Sequence, residues 1–113
     1  MKISILLPYK ENFSPEYPGA VSLFVYETTR ISKFKKHITV YGNTNFKKKF
    51  PVKYINIEIK KNIITSQTKN YVKNFIKLEK FNKSSIIEIH NRPTYVKILT
   101  NQFKSRIVSL YFH

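Results

Sequence analysis

The run Ser85-Ile86-Ile87-Glu88-Ile89-His90-Asn91-Arg92-Pro93-Thr94-Tyr95 decides the fold. A short β-branched apolar segment stops at a polar cluster, and a proline then opens an amphipathic segment. Buried strand, loop and helix start is the pattern of a β-α unit. Pro93 fits the first helical position, where its missing N–H removes no bond. Val96, Leu99 and Phe103 then line one face of a short helix, and Arg106 to Tyr111 reads as the strand after it.

The same punctuation runs back to the start of the chain. Lys2 to Leu7 is an apolar strand stopped by Pro8. A loop rich in proline leads to Pro18-Gly19-Ala20. From Gly19 to about Phe34 the spacing is helical, with Ala20, Val21, Phe24, Thr28 and Ile31 on one predicted face. His37 to Tyr41 is a second strand, closed by Gly42-Asn43. Val52 to Ile59 alternates and reads as a half-exposed edge strand. Thr65 to Lys80 is helical, striped by Tyr71, Val72, Phe75, Ile76 and Leu78, with Thr65 or Ser66 as its cap. Ser85 to Ile89 is strand four. The order β-α-β-β-α-β-α-β predicts an α/β fold: a Rossmann-like parallel sheet of five strands in the order 3-2-1-4-5, with helices on both faces. Residues 1–113 form one such domain. The last strand is followed only by Phe112-His113, so the domain is expected to be incomplete at its carboxyl end.

Composition bounds the function. The chain has 113 residues, no cysteine and no aspartate. Disulfides and thiolate metal sites are excluded, and paired-aspartate metal or glycosidase chemistry has no support. The three histidines have no zinc-like spacing. There is no P-loop, dinucleotide fingerprint or serine elbow. Between Lys2 and Pro8 the apolar run is too short for a signal core, and no segment reaches spanning length. A cytoplasmic location is expected. The net charge of +15 points to polyanions. Lysine supplies most of it, as residue drift in an AT-rich coding sequence would, and only Arg30, Arg92 and Arg106 offer the better phosphate reader.

Three clusters stand out. His90, Asn91 and Arg92 lie where ligands bind in parallel sheets, outside the carboxyl ends of the strands; equally, Asn91 or Arg92 would serve as a helix cap. Gly19 and Ala20 open the first long helix, where a small residue lets an anion approach. His113 follows strand five.

Taken together these residues resemble the amino-terminal domain of a GT-B glycosyltransferase of family 4. The similarity rests on Lys2-Ile3-Ser4-Ile5-Leu6-Leu7 with its loop to Pro18-Gly19-Ala20, on Ile86-Ile87-Glu88-Ile89-His90-Asn91-Arg92-Pro93, and on Leu110-Tyr111-Phe112-His113. The resemblance implies the first, acceptor-side half of a GT-B architecture. It implies a nucleotide-sugar as co-substrate, no cofactor and no metal. Gly19 and Ala20 would lie near the donor diphosphate, although a second glycine is frequent at the position of Ala20. His90, Asn91 and Arg92 would bind the acceptor, a cell-envelope glycan or lipid-linked sugar. His113 would reach the transferred sugar as the catalytic residue. The donor-binding domain is not within these residues, so the chain alone is expected to be inactive and to bind nucleotide-sugar only with a second domain. Contact with an anionic membrane at the inner face of the plasma membrane fits the basic charge.

The alternative is a small basic nucleic-acid-binding module, supported by Phe46, Phe50 and Tyr54 beside Lys47, Lys48, Lys49 and Lys53. Without a recognition motif or more arginine, nucleic acid is the less expected partner. A flavodoxin-like binding domain would need a phosphate-cradling loop that the sequence lacks.

Overall fold

The computed structural model describes residues 1–60 and 66–113. Five strands, β1 (Ile3–Leu6), β2 (Ile38–Gly42), β3 (Tyr54–Asn56), β4 (Ile86–His90) and β5 (Ile107–Tyr111), form one sheet in the order β3-β2-β1-β4-β5. All four pairings are parallel. Helices α1 (Ala20–Ile31), α2 (Gln67–Asn82) and α3 (Pro93–Gln102) make three of the crossovers, and a 3₁₀ turn at Lys35–His37 leads into β2. This is the Rossmann-like arrangement expected from the alternation of elements.

Two cores sit on the two faces of the sheet, as the period of a strand requires. On one face Leu6, Tyr41, Ile87 and Ile89 meet Tyr71, Val72 and Phe75 of α2 and Tyr95 and Leu99 of α3. On the other, Ile5, Leu7, Ile38 and Val40 meet Val21 and Val25 of α1, with Phe13 and Phe50 from loops. The strands are short, but a one-residue slip would exchange these two sets, so burial pins the register.

The buried face of α1 differs from the predicted stripe. Val21, Ser22, Val25 and Thr29 are buried, whereas Ala20 and Thr28 are exposed and Ile31 is 74% exposed. The helix covers the β1–β2 side of the sheet, and that face is chosen by tertiary docking rather than by the largest apolar side chains. In α2 a similar exchange occurs. Leu78 faces out and the adjacent Glu79 is fully buried. Ser66 caps α2, its hydroxyl accepting from the Lys69 N–H at 3.1 Å; Thr65 lies outside the described residues. β3 is shorter than the alternating segment predicts. Both of its faces are half-buried, because Ile55 and Ile59 pack on one core and Val52 and Tyr54 on the other.

Glu79 holds the lower edge of the sheet, where strands begin and helices end. Its carboxylate accepts from Ser4 Oγ at 2.8 Å, Ser84 N–H at 3.0 Å, the Ser84 hydroxyl, and Arg106 Nη1 at 2.8 Å. A buried charge is tolerable only when paired and fully hydrogen-bonded. Glu79 meets both conditions and ties β1, α2, β4 and β5 together.

Candidate functional site at the carboxyl edge of the sheet

The chain leaves β1 toward β2 on one side and, later, β4 toward β5 on the other. Connections therefore diverge between β1 and β4, and the space above their carboxyl ends is where parallel sheets bind ligands. The loop after β1, the amino end of α1, the end of β4 and the end of β5 meet there.

His90 ends β4 and is only 1% exposed. Its Nε2 lies 2.7 Å from Glu88 Oε2, and its Nδ1 lies 2.8 Å from His113 Nε2. With Glu88 ionised and both rings neutral, one assignment satisfies every atom. His90 donates from Nε2 to Glu88 and accepts at Nδ1 from the Nε2–H of His113. His113 then presents the lone pair of Nδ1. Tyr111 stacks on His90 with centroids 5.4 Å apart, and Phe24 of α1 packs edge-on against His113 at 4.8 Å. Both rings are held in orientation from two sides.

Asn91 follows in the left-handed region, φ 54°. Asparagine tolerates that conformation better than most residues. Its side-chain oxygen accepts from the His113 backbone N–H at 2.8 Å, and its own N–H donates to the Tyr111 carbonyl at 2.9 Å. Asn91 thus fastens the end of β5 to the end of β4. Arg92 occupies the N-cap position of α3 without a side-chain cap, and its guanidinium donates to the Asn91 carbonyl at 2.8 Å. Neither residue caps α3 through its side chain. Of the three predicted acceptor residues, Arg92 is exposed, Asn91 is half-buried, and His90 is covered by its neighbours.

Gly19 is the N-cap residue of α1, and Ala20 is its first, exposed residue. Gly19 has an ordinary backbone conformation, φ −70°, and its open side is filled by a neighbouring side chain. The Glu11 carboxylate lies against Gly19, and a Cβ there would have to push aside the end of that flexible side chain. Glu11 Oε2 accepts from the Ser22 N–H at 3.2 Å and places negative charge at the positive end of the helix. The anion position offered by α1 therefore holds the chain's own carboxylate, and a diphosphate there has to displace Glu11.

The electrostatics of the site converge on His113. Partial burial and the neighbouring His90 lower its pKa below the usual histidine value, while Glu11 and Glu88 oppose that shift. The neutral ring that the hydrogen-bond assignment requires is thus the favoured form. Behind the site, the Tyr71 hydroxyl donates to the Leu7 carbonyl at 2.6 Å and the Tyr9 N–H donates to the Tyr95 hydroxyl at 3.2 Å. These bonds lock the loop after β1; burial pushes the Tyr71 hydroxyl well above its ordinary pKa, so it stays a donor.

The structure brings His90, Asn91 and His113 into one bonded group and sets Glu11 of the α1 loop near it. Glu88 and Glu11 are members of this group that motif reading missed. Glu88 had a signal: it lies two residues before His90, hence on the same strand face. Glu11 had none, because its partners are fixed only when the loop folds onto α1. Among the described residues no cluster of three or more metal-ligating side chains is found, and no helix is long and apolar enough to cross a membrane. Two of the three aromatic residues beside the lysine run are committed elsewhere: Phe50 is buried and stacked on Tyr26, and Tyr54 is stacked on Phe13, while the half-buried Phe46 leans on Tyr17. Comparison with known proteins finds no matching family model, curated protein or solved structure.

Proposed function

We propose that this domain is the acceptor-side half of a glycosyltransferase that moves a sugar from a nucleotide-sugar to a cell-envelope glycan or lipid-linked acceptor. The observation that carries this reading is the Glu88–His90–His113 chain at the switch point of the sheet. It presents an oriented, neutral imidazole acceptor at the carboxyl edge of the sheet. Sugar hydroxyls are donors, and a fixed acceptor with an adjacent aromatic wall suits them. His113 is the residue that would touch the sugar. His90 and Glu88 act through it as positioning residues, and Asn91 holds its backbone. Arg92, exposed at the start of α3, would meet the acceptor.

Glu11 on Gly19 bears on the donor. With a carboxylate already at the amino end of α1, the donor diphosphate is held chiefly by a second α/β domain. The companion supplies the transfer chemistry's other wall, and this chain alone is inactive. The location that goes with this role is the cytoplasmic side of the plasma membrane. The alternative reading as a nucleic-acid module loses two of its three stacking platforms, because Phe50 and Tyr54 pack in the core while Phe46 does not.

Two measurements test the proposal. Calorimetric titration with UDP- and GDP-sugars should give no binding tighter than millimolar; micromolar affinity for the isolated chain would sink the acceptor-side assignment. Amide and imidazole chemical shifts followed during titration with envelope oligosaccharides should move at His113, Asn91 and Arg92, and His113→Ala should abolish that response. Shifts confined to other surfaces would remove the site.

A further inference from the structure

The opposite edge of the sheet carries a second surface. All strands begin there and all three helices end there. Between the end of α2 and the start of β5 lies a groove of about 590 Å³, lined by Lys80, Lys83, Ser85, Ser105, Arg106 and Ile107 among others. Arg106 forms its floor, held by Glu79 and stacked 4.2 Å from the Phe103 ring. Its charge is balanced by that carboxylate. Lys80 and Lys83 are different: both are exposed, and among the described residues no lysine has a carboxylate partner.

Lysines at a helix carboxyl end are favourable to the dipole, which accounts for some of them. The dipole does not account for the apolar residues near them: Phe81 adjoins Lys80 in sequence, and Ile107 lines the groove. Phe81 is 88% exposed and Ile107 is 64% exposed. Lys2, whose ammonium donates to the Asn82 carbonyl at 3.2 Å, extends the basic rim to the start of β1. Exposed apolar side chains set among unpaired cations are the composition of an interfacial membrane contact.

We propose that this edge docks on an anionic lipid bilayer. Lipid phosphates sit over the groove between Lys80 and Lys83, and Phe81 and Ile107 enter the headgroup–acyl boundary. Charge complementarity selects an anionic surface. Phe81 would serve either a lipid or a base, but the aliphatic Ile107 favours lipid, since it gains by leaving water for hydrocarbon and has no face on which a base stacks. The use of lysine rather than arginine agrees, because bidentate reading of phosphates and bases favours arginine. Docked this way, the domain turns His113 away from the lipid. An acceptor at the site is then a glycan extending from the surface, a consequence that rests on the transferase reading; the docking itself does not.

The chain has no tryptophan, so a single Phe81→Trp replacement is a clean reporter. Vesicles of phosphatidylcholine mixed with phosphatidylglycerol should shift its emission to the blue, and pure phosphatidylcholine should not. Tyr17→Trp, on the loop before α1, should stay unshifted. In flotation assays, Lys80→Gln with Lys83→Gln should lower the partition coefficient about 25-fold, roughly fivefold for each lysine removed near the surface. Lys47→Gln with Lys48→Gln, an equal charge change on the β2–β3 loop, should change it less than about twofold by the same reasoning. Absence of anionic-vesicle binding, a blue shift at position 17 instead of 81, or equal losses in the two double variants would each overturn the proposal. So would salt-sensitive oligonucleotide binding that Lys80→Gln and Lys83→Gln weaken while vesicles are ignored.

Discussion

At the scale of the residue, His113 is set by its neighbours. Its ring is reached by His90 on one side and by the fields of Glu88 and Glu11 on the other. Its pKa lies below the ordinary histidine value through partial burial first and His90 second, and the two glutamates hold it up. The signs give a prediction. An imidazole NMR titration should place the His113 midpoint below about 6.5, the unperturbed value. Glu88→Gln or Glu11→Gln should move it further down, since each removes a negative charge. His90→Gln should move it up, since it removes the ring whose electrostatic influence lowers it. A midpoint that ignores all three changes would show that the Glu88–His90–His113 chain does not form. A lowered folded-state pKa means that the unfolded chain binds more protons between the two values. This contribution is neutral above about pH 6.5 and destabilises as pH falls through that range. Ligand binding through Nδ1 should be lost over the same fall, because the protonated ring has no lone pair there.

At the scale of the element, α2 shows how a polar residue on an apolar stripe reveals a hub. Periodicity put Leu78 on the buried face, yet Glu79 occupies it. Glutamate at that place receives one arginine, two serine hydroxyls and a backbone N–H. Removing one partner from such a network leaves the others buried without a mate. Glu79→Ala should cost about 3–5 kcal/mol in urea denaturation, the scale for breaking a buried ion pair. Glu79→Gln keeps the shape and should recover part of that loss. A cost for Glu79→Ala below about 1 kcal/mol, as for an exposed pair, would mean that Arg106 and the serines are hydrated in solution. Helix α1 makes a related point. Its predicted face was drawn through its large side chains, but Phe24 is only half-buried because it leans on His113 and Tyr111. Phe24 thus serves the site wall, while Tyr26 of the same helix stacks on Phe50.

At the scale of the whole molecule, the net charge of +15 repels itself in the folded state. Such repulsion is screened within a Debye length of about 10 Å near 0.1 M salt. Raising sodium chloride from about 0.01 M to about 0.2 M should therefore raise the melting temperature, by roughly 4–8 °C for each kcal/mol of relieved repulsion. A fall in melting temperature would show that attractive pairs outweigh the repulsion. The same charge is unevenly used. Glu88 and Glu11 moderate it at the carboxyl edge of the sheet, whereas the amino edge leaves Lys80 and Lys83 without carboxylate partners. The two edges of one sheet thus present different chemistry, a histidine cluster flanked by carboxylates and a basic apolar rim.

The strand order and the two-sided core were legible from residues 1–113 because short apolar runs, prolines and helical stripes are local signals, and right-handed crossovers admit few topologies. Local signals also placed His90, Asn91 and His113 at strand ends, hence at one edge. What they could not supply was the angular choice of each helix and the partners of each polar side chain. Val25 and Thr29 rather than Phe24 and Ile31 face the sheet, Glu79 rather than Leu78 is buried, and Glu11 rather than a ligand covers Gly19. These outcomes depend on contacts between residues far apart in sequence. Periodicity offers several nearly equal faces, and only close packing with hydrogen-bond satisfaction of the buried polar groups selects one.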